Sequence, residues 1–325
     1  MFWKNSLLVC TFGILFSSCM ISKNSEDIPF EDLGGNLLDT TEESSSLSDH
    51  FSSWLEAHPR FDEGLIRADI VGGSFGGKED DSEEIHHIPI VFVHGNSDRA
   101  YGGPLGGWKV LYHKFLDFGY SSAELYATTY GPADSNYSSQ YTHNKENLMQ
   151  IRLLLEAVLE YTGASKVHII SHSLGVTIAR KVVLGGVAID DDGSEFNLGP
   201  PLTNFVEVFV GIAGVNQGLA QCYGSTTPVC SHNNGLDPGY WSGWGVTEQS
   251  KLIQNINNSA HYEGSLVYSL WSSQDLVVGF QCIVWGANTC LIPHADASTE
   301  FPDLDHFSLR DETFDTILSW LIPLE

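Results

Sequence analysis

The apolar positions of this chain follow two alternating rhythms. Short continuous runs are separated by stretches with helical spacing, the signature of a parallel sheet with helices on its faces. Residues 88–93 form an unbroken apolar run, as a strand buried on both faces would. Residues 123–128, 167–170, 206–210 and 266–270 read as further strands. Leu148, Ile151, Leu154, Leu155, Val158 and Leu159 fall on one helical face, which Gly163 closes. Residues 108–118 and 174–183 read as helices, and residues 313–321 as a closing helix. Upstream, Phe51, Trp54 and Leu55 share a helical face, and Gly72, Gly73, Gly76 and Gly77 mark an irregular loop. No Lys-Ser or Lys-Thr follows those glycines and no helix opens there, so they do not read as a phosphate cradle. The pattern predicts an α/β fold with a mostly parallel central sheet and helices on both faces.

The first 50 residues carry a different signal. Lys4 precedes a short apolar run over residues 7–16, and the small residues Ser17, Ser18 and Cys19 follow. Spanning a bilayer takes about 20 apolar residues; this shorter run suits the core of a signal peptide. Residues 1–20 are therefore expected to be an export signal. Phe16-Ser17-Ser18-Cys19 also resembles a bacterial lipoprotein cleavage site, which would make Cys19 a lipid anchor. Residues 21–50 are acidic and Ser-rich without apolar periodicity, the composition of a disordered leader. The catalytic domain is expected over residues 51–325, and no later run is long enough to span a membrane.

Cysteine usage agrees with export. Removing Cys10 and Cys19 with the signal leaves Cys222, Cys230, Cys282 and Cys290, an even number in two close pairs. The local pairs Cys222–Cys230 and Cys282–Cys290 are the simplest of the possible connectivities. A zinc site is the rival reading, but neither pair has the C-x₂₋₄-C spacing of a metal ligand. Charge narrows the partners further. With 15 Lys+Arg against 41 Asp+Glu, the chain carries a formal charge of −26. Such a surface repels phosphate backbones and anionic headgroups, which excludes nucleic acid as a partner.

The sharpest chemical signal is Ser171-His172-Ser173-Leu174-Gly175, lodged between a predicted strand and a predicted helix. This is the setting of the nucleophile elbow of α/β hydrolases, where a tight turn exposes a serine hydroxyl above the sheet. Gly175 meets the need for a small neighbour, and Ser171 stands where a glycine is usual. In this fold the partners follow in the order acid, then histidine. Asp275 comes just past the strand 266–270, and His306 lies before the last helix on an expected loop. Asp296, Asp303 and Asp305 are rival acids in an irregular stretch, and His294 is the rival base. His172, beside the nucleophile, reads as structural or as a pocket wall. Tetrahedral acyl transfer also needs N–H groups aimed at the developing oxyanion. Those of Leu174 and of Asn96, in the turn Val93-His94-Gly95-Asn96, are the candidates, with His94 bracing the turn.

Phe92-Val93-His94-Gly95-Asn96-Ser97-Asp98, Ala123-Glu124-Leu125-Tyr126-Ala127-Thr128-Thr129-Tyr130-Gly131 and the elbow together resemble the class 2 lipases. The likeness runs from about residue 51 to the C-terminus, and serine at the Ser171 position is usual in that family. The resemblance implies a secreted carboxylester hydrolase with the triad Ser173, Asp275 and His306, needing no organic cofactor. Its partner would be a small-molecule or lipid ester, at a lipid or polymer surface. The extracellular polyhydroxyalkanoate depolymerases, which share a lipase-like elbow, are the alternative, and a non-catalytic binding protein on the same scaffold is a third reading. Residues 214–250, rich in Gly, Asn and aromatics, suit a lid or binding loop. Tyr223, Tyr240, Trp241 and Trp244 would then form an aromatic rim, or else pack a disulfide-tied loop onto the body.

Overall fold

A computed structural model describes residues 46–61 and 64–322. The expected signal peptide, the Cys19 anchor and most of the leader lie outside them. Seven strands form one sheet: β1 (Ser74–Phe75), β2 (Ile90–Val93), β3 (Leu125–Thr128), β4 (Val167–His172), β5 (Val206–Ile212), β6 (Leu266–Trp271) and β7 (Ala297–Glu300). Their order across the sheet is β1-β3-β2-β4-β5-β6-β7. Only β1 runs antiparallel to its neighbour; the rest are parallel, as the continuous apolar runs require. The helices are α1 (Asp49–Ala57), α2 (Lys109–Phe118), α3 (Lys145–Thr162), α4 (Leu174–Leu184), α5 (Lys251–Asn257), α6 (His306–Glu312) and α7 (Phe314–Leu321).

Alternation along each strand divides the core into two. Ile90 and Phe92 of β2 pack with Leu111 and Phe115 of α2 and Ile317 of α7 on one face. Val91 and Val93 pack with Phe51 of α1, Leu154 of α3 and Ile178 of α4 on the other. Helices therefore cover both faces of a mostly parallel sheet, as expected. Local chemistry sets the helix ends. Asn144 caps α3 by accepting the Asn147 N–H, and Gly163 ends it in the left-handed conformation. Behind the sheet, a fully buried Arg180–Glu263 pair (2.8 Å) anchors α4 to the segment before β6.

Several sequence expectations need correction. Residues 123–124 belong to a 3₁₀ turn, so β3 starts only at Leu125. The Glu124 carboxylate, which accepts the N–H groups of His86, His87 and Ser121, holds that turn. The glycine-rich loop contains β1, which pairs Ser74 with Thr128 and Phe75 with Ala127. The stretch before His306, expected to be irregular, contains the edge strand β7, and His306 itself opens helix α6. Residues 214–250 are not featureless. They contain two short 3₁₀ turns and a hairpin pairing Tyr240–Trp241 with Val246–Thr247.

Candidate active site

The chain order β2, β3, β4 against the spatial order β3-β2-β4 creates a topological switch between β2 and β4. Ligand crevices of open α/β sheets lie beyond the carboxyl ends of strands at such a switch. Here the turn 94–97 leaves β2 and Ser173 leaves β4. Ser173 caps α4 with φ 56° and ψ −128°, a conformation that strains a non-glycine residue by about 1–3 kcal/mol. Its surroundings hold it there: the Ser173 N–H donates to Ile212 O at 2.8 Å, and Val176 N–H donates to Ser173 O at 3.0 Å. Gly175 is required, because a Cβ there would sit 2.2 Å from His94 O and 2.5 Å from Val93 O. Ser171 is accommodated because its buried hydroxyl donates to Val210 O.

Asp275 follows β6 and is fully buried. Its Oδ1 accepts the N–H groups of Val277 and Val278, each at 2.9 Å, and its Oδ2 meets His306 Nδ1 at 2.6 Å. That contact gives the ring its Nδ1–H tautomer and leaves Nε2 as the proton acceptor. Among the described residues, Ser173 Oγ makes no hydrogen bond to His306, whose Nδ1 and carbonyl are engaged by Asp275 and His172. In a resting hydrolase this bond is commonly long and tightens around substrate. The Cys282–Cys290 disulfide packs beside the acid, with both sulfurs and the carboxylate within 4.8 Å of one another. Both cysteine pairs are bonded locally, Cys222 to Cys230 and Cys282 to Cys290, so their sulfurs are not free metal ligands.

The rival groups sit elsewhere. Asp296 Oδ2 accepts the Val267 N–H at the start of β6 and pairs with His261. Asp305 caps α6 through the N–H groups of Phe307 and Ser308. Asp303 and His294 are exposed. His172 has a role that its sequence neighbourhood concealed. Its Nε2–H donates to the His306 carbonyl at 3.0 Å and its ring lies 4.5 Å from the His306 ring. Burial, and then repulsion from His306 when protonated and from Arg310, hold its pKa well below the ordinary value, so it stays neutral.

On the opposite side, His94 stacks on Tyr130 at 4.2 Å. Its Nδ1–H donates to Gly95 O at 2.7 Å and its Nε2 accepts the Tyr130 N–H at 3.1 Å. Both nitrogens are used by a neutral ring, whose pKa burial pushes down to about 3. The Asn96 side chain turns outward to donate to Ser138 O at 2.8 Å. Among the described residues, no acceptor in the chain takes the backbone N–H of Asn96 or of Leu174. A groove of about 970 Å³, lined by Arg67, Tyr141, Asn147 and Gln150, lies apart from Ser173, Asp275 and His306.

Residues 87–319 match the family model described as lipase (class 2). Fold and match together define a carboxylester hydrolase of the α/β-hydrolase class. The chain belongs to the class 2 lipase family. Among solved structures, a Bacillus licheniformis lipase in its propeptide form aligns at 16% identity and TM-score 0.49. That alignment covers 78% of this chain and 54% of that one, so the chain spans about half its length. The mature form aligns at 15% identity and TM-score 0.47, over 76% of this chain and 97% of its own. Alpha/beta hydrolase domain-containing protein 10 from mouse aligns at 15% identity and TM-score 0.41, over 74% and 93%. No helix among the described residues is long and apolar enough to cross a membrane.

Proposed function

We propose that the protein is an exported lipase or esterase that cleaves fatty-acyl esters through an acyl-enzyme on Ser173. The observation that carries this reading is the buried Asp275–His306 contact of 2.6 Å, tied through the His172 bond to the His306 carbonyl to the strained Ser173 at the end of β4. His306 Nε2 takes the Ser173 proton as Oγ attacks the ester carbonyl carbon. Asp275 keeps the proton on Nδ1 and stabilises the imidazolium that forms. The oxyanion accepts hydrogen bonds from the N–H groups of Asn96 and Leu174, the second of them at the positive end of α4. The tetrahedral intermediate collapses, His306 protonates the departing alcohol, and water then releases the acyl group by the same base.

An apolar rim supports a water-insoluble ester as the substrate. Leu276 and Phe280, just past Asp275, are 74% and 70% exposed, and Trp244 is 98% exposed. Trp285 Nε1 donates to Pro238 O and Gly239 O, which joins the loop past Asp275 to the hairpin bearing Trp241 and Trp244. Residues 276–293 hold no charged side chain, in a chain with 56 (15 + 41) charged ones. Exposed apolar side chains gathered on linked loops suit contact with an apolar substrate surface. The two disulfides support export, since such bonds persist in oxidising compartments. The test is hydrolysis of p-nitrophenyl esters and of a triglyceride emulsion by wild type, Ser173→Ala and Asp275→Asn. Ser173→Ala is expected to abolish turnover, and Asp275→Asn to lower kcat on the order of 10⁴-fold. If Asp275→Asn keeps most of the rate, Asp275 is not the acid.

A further inference from the structure

The oxyanion turn and the base come from opposite ends of the chain, yet one buried contact ties them together. Asp98 closes the turn that begins at Gly95, its N–H donating to Gly95 O at 3.3 Å. Its Oδ1 accepts the N–H groups of Arg99 at 2.9 Å and Gly107 at 3.1 Å. Its Oδ2 accepts Arg310 Nη1 at 2.7 Å across 212 residues of sequence, with both side chains almost fully buried. Arg310 lies one helical turn after His306 in α6 and so projects from the same face. Its Nη2 also donates to Leu105 O at 3.0 Å, and Asp311 takes its Nε–H at 2.6 Å. One guanidinium thus holds the segment 98–107 against the helix that carries the base.

Stability alone gives a poor account of this pair. A buried ion pair loses so much hydration that uncharged replacements of both partners are often equally stable. The position of its two ends is more informative. Asp98 stands two residues from Asn96, and Arg310 stands four from His306. We propose that Asp98 and Arg310 are positioning residues that fix the distance between the Asn96 N–H and the His306 imidazole. The proposal rests on the acyl-enzyme reading above. In that reaction the oxyanion and the imidazolium form in the same step, so both must be placed around one tetrahedral carbon. An error in their separation weakens only the transition state, which lowers kcat and leaves substrate binding nearly unchanged.

The experiment compares Arg310→Lys and the doubly neutral Asp98→Asn/Arg310→Gln with wild type. Lysine keeps the charge but not the forked reach to Asp98, Leu105 and Asp311. The double variant leaves no unpaired buried charge, so it retains the fold. Active sites are counted from the p-nitrophenol burst, and kcat, KM and inhibition by a trifluoromethyl ketone, a tetrahedral-adduct former, are measured per active site. A misplacement of about 1 Å costs roughly 10²-fold. Both variants are expected to lose about 10- to 100-fold in kcat, with KM within about 3-fold and ketone affinity reduced in parallel. Lys166→Gln, which breaks a half-buried pair with Glu207 away from the site, is the control and should keep the wild-type kcat. Wild-type kcat and ketone affinity in the double variant would overturn the proposal. A wild type that gives neither burst nor a Ser173 adduct would instead overturn the acyl-enzyme reading.

Discussion

Gly95→Ala isolates the oxyanion turn. A Cβ at Gly95 would lie 2.9 Å from Ser173 Cβ and 3.2 Å from His172 Nδ1. Comfortable carbon–carbon contact is about 3.5–4.0 Å, so one side must retreat by roughly 0.6–1 Å. Ser173 is held by its bond to Ile212 O and by helix α4, and His172 by its bond to the His306 carbonyl. The turn 94–97 is therefore the side that moves, and it carries the Asn96 N–H. A 1 Å displacement costs on the order of 10²-fold, and losing one oxyanion donor outright roughly 10²–10³-fold, or about 2.7–4 kcal/mol. Gly95→Ala is expected to lower kcat by 10²–10³-fold with KM little changed. Gly175→Ala provides the contrast. Its methyl would meet two backbone oxygens at 2.2 and 2.5 Å, so the loss should appear as unfolding. Steady-state hydrolysis of p-nitrophenyl butyrate, normalised to the burst and read beside Tm, separates the two. A folded Gly95→Ala enzyme with kcat within about 3-fold of wild type would refute the placement of the oxyanion donor.

Removing the Cys282–Cys290 bond by a double Ala substitution should lower kcat as well as stability, because it frees the wall of the Asp275 site. The stability loss should be about 2–3 kcal/mol for a loop this short. Removing Cys222–Cys230, whose sulfurs are not grouped with the Asp275 carboxylate, should change Tm alone; equal kcat in the two variants would contradict this. Stability should also fall in mild acid. Burial pushes the pKa of His94 and His143 down to about 3 and that of His168 to about 4. The unfolded chain takes up these protons near pH 6.5, so the contribution is complete above that pH and is lost as pH falls toward the folded values. Between pH 7 and pH 5 each such histidine costs on the order of 2 kcal/mol. A Tm that stays flat over that interval would refute the assignment of neutral buried rings.

The legibility of this fold followed the strength of its apolar signal. β2, β4 and β5 are buried on both faces and β6 is partly buried on its second, so most of their side chains had to be apolar, and the continuous runs exposed them. β7 is an edge strand of Ala297, Ser298, Thr299 and Glu300 with no apolar residue beyond alanine, and no run betrayed it. β1 has two residues flanked by glycines, too few for a period to register. Helix α6 had a legible start in Asp305 and Ser308, which bond reciprocally as a capping box. Its seven residues were too short for a periodic face, and His306 was therefore expected on a loop. At the candidate site, strand ends and chain order were enough to single out Ser173, Asp275 and His306 as the proposed triad. The supporting contacts were not. His172 to His306 and Asp98 to Arg310 join residues 134 and 212 positions apart, and only the folded sheet brings them together.

The most direct test of the account is reaction of the purified protein with a fluorophosphonate, followed by mapping of the modified peptide. A single adduct on Ser173, formed by wild type and absent from a folded Ser173→Ala variant, is the predicted result. A folded wild type that never labels, or one that labels at another residue, would contradict the central claim that Ser173 is the nucleophile.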